Sequence, residues 1–344
     1  MSFRLQFKKY RRPFKAPLSL PSGEWTEREG ILVRLQAEQP MADGGPGIGF
    51  GEVAPLPSFG TESLHVAEVF LKNYRGSIGL SEITGVPDRL ACTRFALECA
   101  LEMARGRDRA RDSFEGGQAL PVAGLLPAGE AALPRMDALL ERGFISFKWK
   151  VGTGPTDREI EICQALAAKL PAAGRLRIDA NACFSTSEAM RWLRVLDELP
   201  VDYLEQPLPV GQEAAMKDLS RYYATPIALD ESATRFTQIR QLTTGGWTGP
   251  LIIKPALLGP ITLFRAWRAT RICRIVYSSA FETSVGFEAV LRLAASDTRE
   301  REPAGFGTLE YFPPDDGFSV HEPGPLLQAS GYGPDEFEAL WDRL

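Results

Sequence analysis

The feature that most constrains the fold of this chain is a repeated pattern of short apolar runs between Lys148 and Ser279. Each run carries a charged or polar residue near its end, and the last such residues are Lys150, Asp179, Glu205, Asp230, Lys254 and Ser278. They follow one another at intervals of 29, 26, 25, 24 and 24 residues. A step of about 25 residues accommodates one strand, one helix and two short loops. The spacing therefore predicts a parallel (β/α) barrel, whose active site would lie where the strands end.

Length and composition are consistent with a barrel joined to a smaller companion. The chain has 344 residues, of which 44% are hydrophobic and 24% charged, as in an ordinary globular protein. The net charge is −5 and no basic stripe stands out, so we expect no nucleic-acid partner. No signal-peptide pattern and no apolar run of 18 residues is present, which predicts a cytoplasmic protein without membrane insertion.

The first 60 residues have the alternation of antiparallel strands, followed by helices predicted at 62–76 and 87–105. Within them, Gly47-x-Gly49-x-Gly51 resembles a phosphate-binding loop only superficially. The spacing is not the six-position glycine motif, and no helix pattern follows it. We therefore interpret this segment as a hairpin turn that runs into a strand.

Strand–helix alternation begins near residue 118, where ALPVAGLLP is predicted to be the first barrel strand. Capping-box patterns open two of the following helices, at Thr156-x-x-Glu159 and Ser185-x-x-Glu188. Further helices are predicted at 129–142, 211–224, 234–245, 259–271 and 284–296. The last 35 or so residues lose the period, and we expect them to fold back over the N-terminal domain.

Three carboxylates, those of Asp179, Glu205 and Asp230, would follow three successive strands. Neighbouring strands lie about 4.8 Å apart, so the three side chains can converge on one point. Three anions this close repel each other unless a cation neutralises them. Ligation by oxygen alone favours Mg²⁺ or Mn²⁺ over zinc. The alternative is that the carboxylates are merely solvated at loop ends.

Three lysines complete the pattern. Lys148 and Lys150 are two residues apart on one strand, so both face the barrel interior, whereas Trp149 points outward to the helices. Lys254 arrives from the sixth strand. A metal flanked by amines suits the removal of a proton from the carbon next to a carboxylate, because an amine near other cations has a lowered pKa. The alternative is that the lysines only form ion pairs with the carboxylates.

These residues resemble the enolase superfamily, in its muconate-lactonizing-enzyme branch. The matching motifs are KWK at 148–150, DAN at 179–181, EQP at 205–207, DES at 230–232 and KP at 254–255. Two outer motifs are similar to the o-succinylbenzoate synthase family of that branch. They are GEVAPLPSFGTES at 51–63 and SSAFETSVG at 278–286.

The resemblance implies a modified (β/α)7β TIM-like barrel with an α+β N-terminal capping domain. The capping domain would comprise residues 1–115, completed by 309–344, and the barrel residues 116–308. It also implies Mg²⁺-dependent syn-dehydration of 2-succinyl-6-hydroxy-2,4-cyclohexadiene-1-carboxylate to o-succinylbenzoate, in menaquinone or phylloquinone biosynthesis. The partner would thus be a small-molecule carboxylate.

The resemblance also implies a role for each site residue. Asp179, Glu205 and Asp230 would bind the metal. Lys150 would be the base, Lys254 a fixed cation on the opposite side of the ring, and Lys148 a contact to the carboxylate that lowers the pKa of Lys150.

Around these groups the resemblance places a pocket. Asn181, Ser278 and Ser279 would line it, Arg177 would support the metal ligands, and the loops near Ser19–Trp25 and Pro55–Gly60 would close over the succinyl tail. Glu231 follows Asp230 directly, so by the alternation of side chains along a strand it should point away from the site and be structural.

Two other functions remain open at this point. Lysines on either side of an α-carbon also serve racemases, so an N-acylamino-acid racemase or epimerase on the same scaffold is an alternative. Dipeptide epimerases are disfavoured because SSAFETSVG lacks an Asp-x-Asp. The remote alternative is a binding protein that kept the barrel without catalysis.

Overall fold

The computed structural model describes residues 1–20, 23–41, 44–45, 47–106, 119–297, 299, 302–314, 316–319 and 321–344, with residues 19 and 20 described by their backbone alone. Its N-terminal part is an antiparallel sheet of order β3-β2-β1-β4. The strands are β1 Ser2–Leu20, β2 Gly23–Ala37, β3 Ile48–Val53 and β4 Ile78–Gly79. β1 and β2 form a long hairpin with a register shift between Pro13 and Leu18.

Helices α1 Leu64–Asn73, α2 Leu80–Thr84 and α3 Ala91–Ala104 follow this sheet. α3 packs directly on β3, and this contact explains the glycine-rich motif. A Cβ atom on Gly49 would lie 1.9 Å from the carbonyl oxygen of Ala100, and one on Gly51 would lie 2.0 Å from that of Ala96. The glycines therefore allow close approach of strand and helix, and the interpretation of this segment as a strand is confirmed.

The middle of the chain forms a closed parallel barrel. Its strands are β6 Gly124–Leu126, β7 Ser146–Lys150, β8 Arg175–Asp179, β9 Val201–Glu205, β10 Ile227–Ala228, β11 Leu251–Ile253 and β12 Ile275–Tyr277. β6 to β10 pair in sequence order, and the bridge Leu229↔Leu251 joins them to β11 and β12. Ala304 and Gly305 then supply the eighth strand position, through bridges to Val122 and Ser278. This is the expected (β/α)7β barrel.

The predicted first strand is divided into two. β5 Leu120–Pro121 pairs with the C-terminal β13 Leu326–Leu327, whereas the chain from Val122 onward, including Gly124–Leu126, joins the barrel. A single run of apolar residues contains no signal for such a change of partner.

Helices connect the barrel strands. They are α4 Ala132–Glu141, α5 Thr156–Ala168, α6 Thr186–Leu196, α7 Glu213–Leu219, α8 Phe236–Thr244, α9 Pro255–Leu258, α10 Ile261–Thr270 and α11 Ser284–Ser296. The capping box at Ser185 is confirmed, but the one at Thr156 is wrong. Thr156 already lies inside its helix, and the Glu159 carboxylate accepts from the backbone N–H groups of Gly152, Thr153 and Gly154.

The C-terminal helix α12 Pro334–Asp342 packs on the N-terminal sheet. Its Phe337 and Trp341 join Tyr10, Leu32 and Phe50 in one apolar cluster. Trp149 of β7 lies against Trp192 of α6, with ring centroids 6.5 Å apart, so its outward direction is confirmed. In the part of the chain that the structure describes, no helix has the length and apolarity needed to span a membrane.

Candidate active site

The polar residues that end the barrel strands form one row across β7, β8 and β9. Lys150 stands opposite Asp179, and Asp179 stands opposite Glu205, in the parallel ladder. Asp230 lies two residues beyond β10, where a 3₁₀ turn over Glu231–Ala233 begins. Lys254 follows β11 directly. The same strand ends thus bring the predicted charged residues together.

Lys148 lies between two of the carboxylates. Its Nζ is 2.6 Å from Oε1 of Glu205 and 2.9 Å from Oδ2 of Asp179. Burial alone would lower the pKa of Lys148, but the charges of Asp179, Glu205 and Asp230 outweigh it and hold that pKa well above its usual range. Lys148 is therefore a permanent cation in this arrangement.

Lys254 is held by Asp230, whose two oxygens both accept from its Nζ. The same Nζ lies 4.5 Å from the centre of the Phe59 ring, which belongs to the N-terminal part of the chain. Lys150, by contrast, is exposed, and within the described residues it makes no hydrogen bond or ion pair. Two of the three lysines are thus ion-paired, and Lys150 is free to meet a ligand.

One oxygen of the buried Glu205 carboxylate has no partner among the described residues. Its side chain is fully buried, and among the described residues its Oε2 has no hydrogen-bond partner. Burial, and next the charge of Asp179, raise the pKa of Glu205 well above its usual range. A cation placed near Oε2 would satisfy this oxygen and relieve the repulsion between the carboxylates.

The carboxylate oxygens of Asp179, Glu205 and Asp230 suit a hard divalent cation, because such ions prefer oxygen ligands. Oε2 of Glu205 is buried and has no other partner among the described residues. As the side chains now lie, no group of three or more acidic, histidine or cysteine residues in the described ranges is gathered closely enough to hold a metal ion. In this arrangement Lys148 bridges Asp179 and Glu205, while Lys254 pairs with Asp230.

Glu231 faces the site, contrary to our expectation. Its Oε1 lies 3.5 Å from Nδ2 of Asn181, and Asn181 in turn donates its backbone N–H to Oδ1 of Asp179 at 3.0 Å. Burial, followed by the charges of Asp230 and Asp179, raises the pKa of Glu231 to about 7. The strand alternation assumed for Glu231 does not apply, because the chain has left the strand at Ala228 and turned.

Gln206 is a site residue that the sequence reasoning missed. Its side-chain oxygen accepts from the backbone N–H of Asp230 at 3.1 Å and of Ser232 at 3.2 Å, and its Nε2 donates to Ser232 Oγ at 2.9 Å. Gln206 also has a positive φ of 36°, which is uncommon for a residue other than glycine. It positions the turn that carries Asp230. The only signal in the sequence was an amide directly after Glu205.

Arg177 lies in the barrel interior, as expected, but its partners differ from those expected. It donates to Asp202 Oδ2 at 2.8 Å and to Glu302 Oε2 at 3.0 Å, and its guanidinium lies over the Tyr203 ring. Arg177 precedes Asp179 by two residues, so its side chain points one layer deeper into the barrel. It stabilises that layer and does not bond to the site carboxylates.

Ser278 and Ser279 are both buried and bonded to the eighth strand position. Ser278 Oγ donates to the Gly305 carbonyl at 3.0 Å, and Ser279 Oγ lies 2.5 Å from Thr308 Oγ1. Their hydroxyls therefore help to close the barrel. Whether they also contact a ligand stays a prediction.

The two outer motifs of the sequence are bonded to each other. The Glu52 carboxylate accepts from the backbone N–H groups of Thr283 and Gly286, both at 3.0 Å, and from Tyr10 Oη at 2.6 Å. A Cβ atom on Gly286 would lie 2.9 Å from this carboxylate. The contact fixes the N-terminal sheet to the end of the barrel that carries the lysines.

Family models match both parts of the chain. The model for an enolase C-terminal domain-like fold matches residues 132–323, more than half of the chain, and the model for the MenC N-terminal domain matches residues 4–103.

Individual proteins agree with these matches. An o-succinylbenzoate synthase from Thermosynechococcus vestitus is 32% identical, over 99% of both chains. An N-succinylamino acid racemase from Thermus thermophilus is 30% identical, over 72% of this chain and 69% of its own.

A solved structure extends the likeness to the whole fold. The crystal structure of o-succinylbenzoate synthase from Thermosynechococcus elongatus BP-1, complexed with Mg in the active site, superposes with a TM-score of 0.83 at 29% identity. The match covers 99% of this chain and 100% of that one. The chain therefore belongs to the enolase superfamily and, within it, to the o-succinylbenzoate synthase family.

Proposed function

We propose that this protein is a Mg²⁺-dependent o-succinylbenzoate synthase. The observation that carries the proposal is the site itself: a free amine at Lys150 stands in one row with Asp179 and Glu205, while Lys254 is fixed on Asp230. Family membership along the whole chain supports the same reaction.

Asp179, Glu205 and Asp230 would hold the metal, and Lys148 and Lys254 would release their carboxylate contacts in part as it binds. When bound, Mg²⁺ would neutralise the charge that builds up on the substrate carboxylate as the α-proton leaves.

Lys150 would act as both base and acid. Its neutral amine takes the proton from C1 of 2-succinyl-6-hydroxy-2,4-cyclohexadiene-1-carboxylate, the carbon that bears the carboxylate. The electron pair of that C–H bond becomes the new C1–C6 π bond, and the C6–O bond breaks. The Lys150 ammonium returns its proton to the departing hydroxide, so that one water leaves and the ring becomes aromatic. A single group on one face of the ring suffices because the elimination is syn.

Lys254 would act as a fixed cation. The part of its contact with Asp230 that remains, together with the Phe59 ring, would hold it in position, and its charge would stabilise the electron-rich ring from the opposite face. Asn181, Ser278 and Ser279 would line the pocket, with Asn181 also orienting Asp179.

An assay of dehydration tests the proposal. The protein is incubated with the cyclohexadiene substrate and Mg²⁺, and aromatic product is followed by ultraviolet absorption and proton NMR. We expect turnover that stops on chelation and resumes on addition of Mg²⁺. A protein that binds Mg²⁺ but leaves the substrate unchanged would contradict the proposal.

The racemase similarity supports a second candidate function, N-acylamino-acid racemisation. It is tested by deuterium exchange at the α-carbon of N-succinyl amino acids in D₂O. Exchange at a rate that rivals dehydration would favour the racemase.

We also propose the division of the chain into a capping domain of residues 1–115 and 309–344 and a barrel domain of residues 116–308. The boundary at 115 and 116 lies outside the described residues. The protein would act in the cytoplasm on a small-molecule carboxylate, in menaquinone or phylloquinone biosynthesis, without a nucleic-acid partner.

A further inference from the structure

At the turn that carries Asp230, two backbone N–H groups are bonded to a side chain and not to a neighbouring strand. β10 ends at Ala228, so Asp230 lies beyond it, at the start of the 3₁₀ turn over Glu231–Ala233. The backbone N–H groups of Asp230 and Ser232 donate to the side-chain oxygen of Gln206, at 3.1 and 3.2 Å. The position of the Asp230 carboxylate therefore depends on how the Gln206 amide is oriented.

The nitrogen of the same amide is also bonded, and this fixes its orientation. Because the Gln206 oxygen accepts from two N–H groups, its Nε2 is the donor, and it donates to the Leu208 carbonyl at 3.0 Å and to Ser232 Oγ at 2.9 Å. Gln206 and Ser232 are both buried. A hydrogen bond lost here would leave an unsatisfied polar group in the interior, so the amide is held in one orientation.

Glu213 completes this series of hydrogen bonds. The Ser232 hydroxyl accepts from Gln206 and gives its own hydrogen to Oε1 of Glu213, at 2.6 Å. The same oxygen accepts from the backbone N–H of Gly211 at 2.9 Å. Burial acts to raise the pKa of Glu213, but hydrogen bonds, first of all the one from Ser232, outweigh it and lower that pKa below its usual range. The Glu213 carboxylate is therefore ionised, and because it can only accept, it sets the direction of every bond in the series.

Glu213 occupies a position where its side chain can be removed without damage to the core. It is the first residue of α7, it is half-buried, and it lines a cavity of about 560 Å³ at the surface between α7 and α8. Truncation of its side chain enlarges this existing cavity and leaves no enclosed void, so the fold should tolerate it. What truncation removes is the acceptor of the Ser232 hydroxyl.

We propose that Glu213 is a positioning residue for Asp230. Through Ser232 and Gln206 it holds the turn in the conformation in which the Asp230 carboxylate can bind Mg²⁺. The proposal rests on the function proposed above in one respect, that Asp230 is a metal ligand. Groups that orient a metal ligand typically contribute about 10- to 100-fold to metal affinity.

Isothermal titration of the full-length protein with Mg²⁺, in the absence of substrate, tests the proposal. Glu213→Ala should bind Mg²⁺ about 10- to 100-fold more weakly than the wild type. Glu213→Gln should keep most of the wild-type affinity, because its amide oxygen can still accept from Ser232 and Gly211 although the negative charge is gone. The two variants thus separate positioning from a direct attraction between the Glu213 charge and the metal.

Glu188→Ala is the matched control. Ser185 Oγ donates to the Glu188 carboxylate at 2.6 Å, the same length as the bond from Ser232 to Glu213, at the start of α6. The control variant removes a serine–glutamate bond of the same kind from the preceding helix. It should lower the melting temperature but bind Mg²⁺ like the wild type.

Ser232→Ala gives a second, independent measurement. It breaks the same series of bonds one step nearer to Asp230, so it should also weaken Mg²⁺ binding by about 10- to 100-fold. Since both substitutions remove one link, the losses in Ser232→Ala and Glu213→Ala should not add in the double variant.

The outcomes separate this proposal from the proposed function. Wild-type Mg²⁺ affinity in a folded Glu213→Ala variant or in Ser232→Ala would overturn the positioning role, even if the wild type dehydrates its substrate normally. A Glu213→Gln variant as weak as Glu213→Ala would assign the effect to charge and would also overturn it. A wild type that shows no dehydration, but whose Mg²⁺ affinity depends on the Glu213 hydrogen bonds, would overturn the proposed reaction and support the positioning role.

Discussion

Lys254 and Phe59 are in cation–π contact, with the Lys254 Nζ 4.5 Å from the centre of the Phe59 ring. Lys254 follows barrel strand β11, whereas Phe59 ends a 3₁₀ turn over Pro57–Phe59 that leads out of the N-terminal sheet. The contact makes the N-terminal part of the chain a direct neighbour of the site, and not only a cover for it.

Replacement of Phe59 should therefore impair catalysis. In Phe59→Leu the apolar wall is kept but the aromatic face is lost, and a cation–π contact is worth about 0.5–2 kcal/mol. We expect kcat/KM for dehydration to fall by roughly 2- to 30-fold, with the folded structure intact by circular dichroism. Phe70→Leu, which changes an aromatic residue of α1 on the same part of the chain, is the control and should leave kcat/KM unchanged. Equal losses in both variants would show that the effect is structural.

Glu205→Gln should remove the response of the protein to Mg²⁺. Glu205 is a buried carboxylate whose Oε2 has no hydrogen-bond partner among the described residues, so its loss would deprive the metal of a charged ligand. A ligand that binds only the folded state at 100 times its dissociation constant stabilises the protein by about 2.7 kcal/mol, which is measurable as a rise in melting temperature. We expect the wild type to show this rise and Glu205→Gln to lose it.

Asp202→Asn provides the control on the same strand. Asp202 pairs with Arg177 and Arg274 in the deeper layer, so its replacement should lower the starting melting temperature. The increase caused by Mg²⁺ should nevertheless persist. A Glu205→Gln variant that still gains as much stability from Mg²⁺ as the wild type would exclude Glu205 as a ligand.

Glu282 should make stability depend on pH. Burial, aided by the charge of Glu52, raises the pKa of the Glu282 carboxyl from 4.5 to about 7. Between these values the folded protein holds a proton that the unfolded chain has released, so the free energy of unfolding falls as pH rises from about 4.5 to 7 and then levels off. The full loss is on the order of 3 kcal/mol.

Urea denaturation of wild type and Glu282→Gln across this pH range measures the effect. The variant carries no titrating group at this position. As pH rises, its unfolding free energy should therefore increase relative to that of the wild type. Glu198→Gln, at an exposed position of the barrel, should follow the wild type. A difference that stays constant with pH would show that folding does not shift the pKa of Glu282, and it would contradict the prediction.

Much of this fold could be predicted because it depends on local periodicity. The interval of about 25 residues places Asp179 and Glu205 in register. The same interval is enough to predict that neighbouring barrel strands pair in sequence order. The details that could not be predicted depend on where the chain leaves a strand. Glu231 faces the site because a turn has begun before it, and the segment from Leu120 to Leu126 divides between two sheets.

Contacts between distant segments were equally inaccessible. Arg177 was correctly expected to face inward, but its depth in the barrel, and so its pairing with Asp202 and Glu302, depends on the tilt of the strands.

The central claim is that Lys150 moves the proton, and the most direct measurement is the dehydration rate of Lys150→Ala with Mg²⁺ saturating. Lys150 is exposed, so the variant should fold like the wild type, as should the control Lys169→Ala on the outer surface. Loss of a general base typically costs about 10²- to 10⁴-fold in rate. We predict that the dehydration rate of Lys150→Ala falls by at least about 10²-fold while the variant still binds o-succinylbenzoate. Lys169→Ala should retain full activity. A folded Lys150→Ala variant that dehydrates the substrate at a rate close to that of the wild type would contradict the account.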